Sequence, residues 1–351
     1  MPKVTGEQLE EIAFHLFGAA GAPEEHSRIV AKHLADNNLT GHDSHGFIRV
    51  IQYLQQIKDG LLFPAAIPEI VRESPATAQI DGHRGFGQVV AKFSTELAIK
   101  KAKEQGVSSV TMRYLGHLGR LGAYGEMAAK EGCVAILFCA TGGLALSQAP
   151  FGGSKRKLGT NPIALTFPAE KEGAISSDFA TSVAAEGKVR VYRARGQKLP
   201  DGWILDQEGR PSNDPNDFYA GGAILPIGSS VGYKGFCLAF MTDIFGSLLS
   251  RDGFPAKPGK QFSNGSLIVV IDIERFAPLA AAKSEASQMV EFIKDTPLAQ
   301  GFEEVLYPGE KEAKNRKERT KTGVDIENET WNQVMALVKA YGVDEQIGKV
   351  L

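Results

Sequence analysis

Cysteine is scarce in this chain. Only Cys133, Cys139 and Cys237 occur among its 351 residues, and none of them forms the C-x-x-C pair that structural zinc sites use. An odd number of widely spaced cysteines also argues against a disulfide framework of the kind found in secreted domains. We therefore expect a protein of the reducing cytoplasm.

Long apolar runs and an excess of one charge are missing as well. The longest apolar runs, such as residues 134–140 and 267–271, are far shorter than the roughly 18 residues that a membrane-spanning helix needs. Acidic residues interrupt the N-terminal stretch where a secretion signal would be apolar. Lys and Arg number 39 against 41 Asp and Glu, and no basic tract with interleaved aromatic residues occurs. We expect neither a membrane nor a nucleic acid as a partner.

Histidine is absent from the last two thirds of the chain, so any imidazole chemistry must come from the first third. There the segment at residues 42–49, H-D-S-H-G-F-I-R, places His45 four residues before Arg49. We predict a helix over residues 43–58, which would put both side chains on one face and disfavour a charged imidazole near the helix start. A neutral imidazole beside a guanidinium suits proton transfer on a small carboxylate. The alternative is a pair of surface side chains.

The spacing of apolar residues changes twice along the chain. Helical spacing at the start gives way to β-rich runs separated by glycines, and these runs cover residues 77–80, 107–112, 134–140, 163–167 and 267–273. Helical patterns interrupt them at residues 88–104, 121–130 and 235–250, and the chain is helical again from residue 280. We predict a mixed α/β fold, with a helical domain of residues 1–74 plus 276–351 and a sheet domain of residues 75–275.

A glycine-rich turn follows the strand predicted near residue 110 and invites a dinucleotide-binding interpretation. A Rossmann site needs G-x-G-x-x-G and an acidic residue roughly 20 positions later. Residues 116–122 instead have the spacing G-x-x-G-x-x-G, and the next predicted strand ends in F-C-A at residues 138–140, without an acid. An ordinary Rossmann site is therefore disfavoured.

Four further side chains are candidates for a site. His117 lies among glycines directly after a predicted strand, where loops often carry function, and a turn histidine is the equal alternative. Asp178 could orient an imidazole or simply cap a turn. Lys188 and Lys234 lie on glycine-flanked turns, where either could meet a phosphate or only water.

Six segments, in order along nearly the whole chain, resemble the type 2 malate/L-lactate dehydrogenase family, which includes ureidoglycolate and sulfolactate dehydrogenases and reductases of cyclic imines. The segments are D-S-H-G at residues 43–46 with Arg49, G-H-L-G at 116–119, G-T-N-P-I-A at 159–164, D-F-A-T-S at 178–182 with G-K at 187–188, G-Y-K-G at 232–235 and Y-P-G-E at 307–310.

This resemblance implies a nicotinamide cofactor held on a non-Rossmann, largely antiparallel sheet, in agreement with the failed glycine fingerprint. It also implies a helical domain assembled from both chain ends, an active site between the two domains and a homodimer. The implied cofactor is NAD or NADP, with NAD favoured. The implied partner is a small carboxylate substrate.

The resemblance also assigns roles to residues. His45 is similar to the proton donor of the family, Arg49 to a contact of the substrate carboxylate, and His117 to a catalytic base of some members, with Asp178 polarising an imidazole. Substrate contacts are implied at Ser44, Arg49, His117 and Thr160. Cofactor contacts are implied at His117, Thr141, Thr160, Asp178, Phe179, Ala180, Thr181, Ser182, Lys188, Tyr233, Lys234, Gly309 and Glu310. Residues 139–141 depart from the more polar sequence of many relatives.

The expected activity is reversible hydride transfer between the nicotinamide and the carbon of a 2-hydroxy/2-oxo acid. Three alternatives stay open at this point. One is a reductase of cyclic imino acids with the same carboxylate contact. Another is a metal-dependent lyase or hydrolase built on His42, His45 and His117, although no further ligand is in clear register. The last is a nucleotide-binding protein without catalysis.

Overall fold

A sheet of seven strands forms the centre of the computed structural model, which describes residues 1–142, 146–228, 231–257 and 261–351. The strands in chain order are β1 (Lys3–Val4), β2 (Glu69–Glu73), β3 (Thr77–Gly85), β4 (Val107–Leu115), β5 (Cys133–Cys139), β6 (Ile163–Ala169), β7 (Gly173–Phe179), β8 (Ile204–Leu205), β9 (Pro211–Ser212), β10 (Ala223–Ile224), β11 (Ser266–Asp272) and β12 (Val324–Asp325). The large sheet has the order β2-β3-β4-β11-β5-β6-β7.

Helices cover the sheet and make up both ends of the chain, so the predicted mixed α/β class is confirmed. They are α1 (Gly6–Ala19), α2 (Glu24–Leu39), α3 (Arg49–Lys58), α4 (Gly87–Gln105), α5 (Gly122–Lys130), α6 (Glu186–Ala194), α7 (Pro215–Tyr219), α8 (Tyr233–Asp243), α9 (Leu279–Lys294), α10 (Glu310–Thr322), α11 (Asn328–Ala340) and α12 (Asp344–Gly348). Within the described ranges, none of them is long and apolar enough to cross a membrane.

Most neighbouring strands of the large sheet run antiparallel, as predicted. The exception is the pair β3 and β4, which are parallel and align Ile80 with Met112. Parallel strands need a crossover connection, and α4 supplies it by packing on β3, β4 and β11. The loop that leaves β4 carries His117, so the parallel pair decides where that side chain lies.

The two ends of the chain share one hydrophobic core. Phe17 and Leu34 from the N-terminal helices pack in the same cluster as Val334 and Val338 from α11, and β1 pairs with β12. A second core lies between the large sheet and the helices α4 and α5. The sequence predicted a division into residues 1–74 plus 276–351 and residues 75–275, and the first core also includes Phe86 and Val89 of the middle segment. Because α9 packs on β6, contacts cross that division, and we retain it as a proposal.

A second, smaller sheet packs against α6. Its strands have the order β10-β8-β9, and α6 and α7 pack with them around Val189, Ile204 and Phe218. The first turn of α6 approaches the segment that carries His45: a Cβ added to Gly187 would lie 3.9 Å from the Cβ of Ser44. The small sheet therefore positions one wall of the cleft described below.

The helix predicted over residues 43–58 is wrong at its start. Residues 43–45 form a single 3₁₀ turn, and α3 begins only at Arg49. Polar side chains of α2 replace the helical hydrogen bonds here. Asn37 donates from Nδ2 to the carbonyl of His45 at 2.9 Å, and Asn38 Oδ1 accepts a backbone N–H at 2.7 Å. His45 and Arg49 therefore do not share the face of one α-helix, although they stay close in space.

Candidate active site

Two histidine rings from distant parts of the chain lie side by side. His45 comes from the 3₁₀ turn after α2 and His117 from the glycine-rich loop after β4. Their ring centroids are 5.2 Å apart, and the planes are tilted by 32°. The fold thus brings together the two imidazoles that the sequence singled out.

His45 is held on both its side chain and its backbone. Its Nδ1 lies 2.9 Å from Ser44 Oγ, while Asn37 fixes its carbonyl. Enclosure by protein atoms and, to a smaller extent, the positive charge of Arg49 together lower the pKa of His45 to about 3. The imidazole is therefore neutral at neutral pH, and Nε2 is the nitrogen left for a ligand.

His117 is held by a buried polar pair that sequence analysis missed. Its Nδ1 lies 2.7 Å from Tyr53 Oη, and Gln88 donates from Nε2 to the same oxygen at 2.8 Å. Tyr53 is fully buried and Gln88 almost so. Burial raises the pKa of Tyr53 to about 12, and burial also lowers the pKa of His117 well below its ordinary value. Nothing in the sequence near Tyr53 distinguishes it from a core residue of an amphipathic helix.

Arg49 lies in the first turn of α3, next to the histidine pair. It donates from Nε to the carbonyl of Ser44 at 2.7 Å and contacts Gln52 through its guanidinium. Its charge acts on His45 and His117, and Glu186 and Arg190 of α6 lie close enough to influence it. A guanidinium in this position suits a substrate carboxylate.

A cleft of about 440 Å³ opens in front of His45. Eight residues predicted from the sequence line it: Ser44, His45, Thr160, Asp178, Phe179, Ala180, Ser182 and Lys188. These residues come from four separate segments of the chain, and only the fold brings them to one cavity. The remaining predicted residues lie around the cleft or farther away.

Two predicted residues do not line the cleft and instead form hydrogen bonds to the loop at residues 159–162 beside it. Thr181 is buried and donates from Oγ1 to the carbonyl of Thr160 at 2.9 Å. Thr141 donates its backbone N–H to Asn161 Oδ1 at 3.0 Å. These contacts hold the loop at residues 159–162 in place, which is a structural role next to the cavity.

The last predicted residues lie farther out. Gly309 lines a smaller cavity of about 170 Å³ that shares Asp178 with the cleft. Glu310 accepts hydrogen bonds from Lys294 Nζ at 2.6 Å and from a backbone N–H. Burial alone would raise the pKa of that carboxyl, but the hydrogen bonds from Lys294, the backbone N–H of Tyr307 and Lys314 together lower it. Tyr233 and Lys234 begin α8, and the ring of Tyr233 is largely exposed.

Asp178 lies at the end of β7 and faces the start of α5. Its Oδ2 accepts the backbone N–H of Gly122 at 2.7 Å, a favourable position for a negative charge at a helix N-terminus. Burial raises the pKa of the Asp178 carboxyl, although Gly122 and Arg120 oppose the shift. Among the described residues no hydrogen bond joins this carboxylate to an imidazole, so its orienting role stays a prediction.

Two other histidines lie near the cleft. His33 accepts the backbone N–H of Arg120 through Nε2 at 3.3 Å and stacks on Tyr124 with 5.5 Å between ring centroids. His42 contacts Glu312 at 3.2 Å. The parts of the chain that the structure describes contain no group of three or more His, Cys, Asp or Glu side chains placed to hold a metal ion.

The cleft has the properties that a nicotinamide cofactor requires. Small or apolar residues such as Gly119, Ala180 and Ala185 line its walls, and a flat ring can lie against such surfaces. Lys188 is exposed at its edge, where a cation would meet a pyrophosphate. The residues present therefore fit this group.

Comparisons with known proteins agree with one another. A family model described as malate/L-lactate dehydrogenase matches residues 4–335. A malate dehydrogenase of Pyrococcus horikoshii is 37% identical over 350 residues, covering 97% of this chain and 96% of that protein. An L-sulfolactate dehydrogenase of Methanocaldococcus jannaschii is 38% identical over 329 residues, covering 92% and 93%. The crystal structure of malate dehydrogenase from Entamoeba histolytica has a TM-score of 0.92 at 29% identity, covering 97% and 98%.

Proposed function

The chain belongs to the malate/L-lactate dehydrogenase family, and from that premise we propose how its cleft carries out hydride transfer. The protein is an oxidoreductase of small 2-hydroxy acids that uses a nicotinamide cofactor. The observation that carries the assignment of the site is the pair of His45 and His117 beside Arg49, with His45 at the wall of a cleft suited to the cofactor.

Arg49 binds the carboxylate of the substrate in this proposal. A guanidinium matches a carboxylate with two parallel hydrogen bonds, and its place beside the histidines would bring the adjacent carbon to them. Ser44 and Thr160, which line the cleft, contribute hydroxyl contacts to the same ligand.

His45 moves the proton. In the oxidation of a 2-hydroxy acid, the substrate O–H bond breaks and its proton passes to Nε2 of the neutral imidazole. In reduction the same nitrogen returns a proton to the oxygen of the 2-oxo acid. The low pKa of His45 keeps it in the state that the oxidation direction needs, because only the unprotonated ring can act as a base.

The hydride would be accepted or supplied by a nicotinamide held in this cleft. We propose that Phe179, Ala180 and Ser182 line the face of this cofactor and that Lys188 meets its phosphates. We expect this cofactor to be NAD rather than NADP. Asp178, whose carboxylate accepts the backbone N–H of Gly122, lines the same cleft.

We propose that the protein acts as a homodimer in the cytoplasm. Apolar side chains are exposed on α8 and the turn that continues it, including Leu238, Phe240, Leu248 and Leu249, and a second copy would cover them. The three cysteines are free thiols, which fits a reducing compartment. Light scattering should give the mass of two chains, and the mass of one chain would contradict the dimer.

The test of the activity is the change in nicotinamide absorbance when NADH or NADPH meets a panel of pyruvate, oxaloacetate, sulfopyruvate and piperideine-2-carboxylate. Oxidation of the cofactor by a 2-oxo acid is the expected result, and it identifies cofactor and substrate together. Oxidation by the cyclic imine alone would replace this proposal with an imine reductase. Absence of cofactor binding, measured by fluorescence, would contradict the use of the cleft.

A further inference from the structure

A short chain of hydrogen bonds leads from Gln88 through Tyr53 to His117. Gln88 Nε2 lies 2.8 Å from Tyr53 Oη, which lies 2.7 Å from His117 Nδ1. All three groups are shielded, and Tyr53 also packs against the ring of His117 with 6.1 Å between centroids. The activity proposed above does not use Tyr53 or Gln88.

The orientation of the Gln88 amide, with Nε2 toward Tyr53 Oη and Oε1 without a partner among the described residues, sets the direction of this chain. An amide nitrogen has hydrogens to give and no lone pair to accept with, so Tyr53 Oη accepts from Gln88. The phenol has a single hydrogen, which is then left for His117. Nδ1 of His117 must accept it, and a neutral imidazole that accepts at Nδ1 carries its own hydrogen on Nε2.

We propose that Tyr53 is a positioning residue that fixes His117 in the tautomer with its proton on Nε2, so that His117 offers a neutral N–H donor to the reacting oxygen of the substrate while His45 moves the proton. The catalytic part of this inference depends on the function proposed above. The tautomer itself does not depend on it.

The surroundings of the two rings favour these roles, with His117 as a neutral donor and His45 as the group that moves the proton. His117 Nε2 has no hydrogen-bond partner among the described residues, and the ring lies 5.2 Å from that of His45. Tyr53 keeps its hydrogen over the whole working range because burial raises its pKa to about 12. The positive charge of Arg49 faces the pair and disfavours an imidazolium at His117, and a proton on His45 would do the same. A fixed neutral donor stabilises the negative charge that develops on the oxygen during reduction.

The direct test is nuclear magnetic resonance of protein with isotope-labelled histidine, which distinguishes the two neutral tautomers by the nitrogen shifts and couplings of the ring. The signals of His117 are identified by their loss in His117→Gln. The expected result at neutral pH is a single Nε2–H form. A single Nδ1–H form, or a mixture of the two, would overturn the inference. This measurement needs neither substrate nor cofactor, so its failure is distinct from a failure of the proposed function.

Tyr53→Phe removes the hydroxyl and keeps the ring. We expect a second tautomer of His117 to appear and kcat for the 2-oxo acid to fall by about 10-fold, with KM for the cofactor unchanged. Tyr124→Phe is the matched control, since Tyr124 is another buried tyrosine whose hydroxyl bonds a backbone carbonyl at 2.6 Å. It should lose comparable stability and keep a single tautomer. An unchanged kcat in Tyr53→Phe would remove Tyr53 from the mechanism, and if that variant does not fold, the tautomer of the unaltered protein still decides.

Discussion

At the scale of single residues, the proton transfer proposed for His45 requires an imidazole that stays uncharged although protein atoms enclose it. The ring is neutral because enclosure and the neighbouring guanidinium of Arg49 both penalise a second positive charge. That arrangement prepares the ring for accepting a proton from a hydroxyl. It also means that a single side chain should carry most of the proton transfer.

His45→Ala tests this dependence. We expect the chemical step to slow by about 10²-fold or more, while binding of reduced cofactor, followed by fluorescence, stays intact because His45 meets only the reacting end of the cleft. His15→Ala is the control, since His15 lies on α1 beside Glu11 and does not line the cleft. Turnover close to normal in His45→Ala would assign the proton transfer to another group.

Arg49→Lys tests the carboxylate contact. An ammonium cannot reproduce the paired hydrogen bonds of a guanidinium, nor the bond that Arg49 Nε makes to the carbonyl of Ser44. We expect KM for the 2-oxo acid to rise by about 10-fold or more, which corresponds to the loss of about 1.5–3 kcal/mol of hydrogen bonding to a charged group. KM for the cofactor is the internal control and should not change. An unchanged KM for the substrate would place its carboxylate elsewhere.

At the scale of secondary-structure elements, one glycine decides how the turn with His45 meets α3. A Cβ at Gly46 would lie 2.2 Å from Asn38 Oδ1, which is far inside contact distance. Asn38 in turn bonds the backbone after the turn. A larger residue must therefore move either the turn or α2.

Gly46→Ala should consequently destabilise the fold by about 1–3 kcal/mol and lower kcat, because the displaced turn carries His45. The matched control is Gly18→Ala in α1, where the new Cβ would meet only Ser27 Oγ at 3.9 Å and should stabilise the helix by about 0.5–1 kcal/mol. Thermal unfolding and turnover of both variants give the answer. Equal behaviour of the two alanines would show that the turn tolerates a shift.

The same elements show what the sequence could and could not predict. β5 and β11 were predicted because they are buried apolar runs, and apolar runs bounded by turns are typical of interior strands. The edge strands β2 and β7 were missed, since E-I-V-R-E and G-A-I-S-S-D-F carry too many polar residues to stand out. The helix start at residue 43 was wrong because Asn37 and Asn38 compete for the backbone, and that contact exists only in the folded chain.

At the scale of the whole molecule, the sequence identified several residues that line the cleft, but it did not reveal the hydrogen bonds that hold the site residues. Ser44, His45, Thr160 and Lys188 were identified from motifs, and the fold places them on one cleft. The bond from Tyr53 to His117 spans 64 positions of the chain, and no local pattern reports such a pairing. Periodicity identifies which face of a helix is buried; it does not identify the buried residue that carries a functional hydroxyl.

The shielded histidines also make the stability of the whole protein depend on pH. His33 and His45 have pKa values of about 3 in the folded protein, against 6.5 for an exposed ring, and the pKa of His117 is lowered as well. The unfolded chain therefore binds protons below pH 6.5 that the folded chain refuses. Stability that is present above pH 6.5 is lost as the pH falls, by at most about 1.4 kcal/mol per pH unit for each ring.

We therefore expect the free energy of unfolding to decrease measurably between pH 6.5 and about 5, a range in which ordinary carboxylates are still largely ionised. His33→Gln should reduce this slope, because the amide oxygen of glutamine can accept the N–H of Arg120 that His33 accepts now without taking up a proton. Denaturant unfolding of both proteins at several pH values measures the two slopes. Identical slopes would mean that His33 takes up its proton as readily in the folded protein as in the unfolded chain, and the burial of this ring would then have no part in the acid sensitivity of the fold.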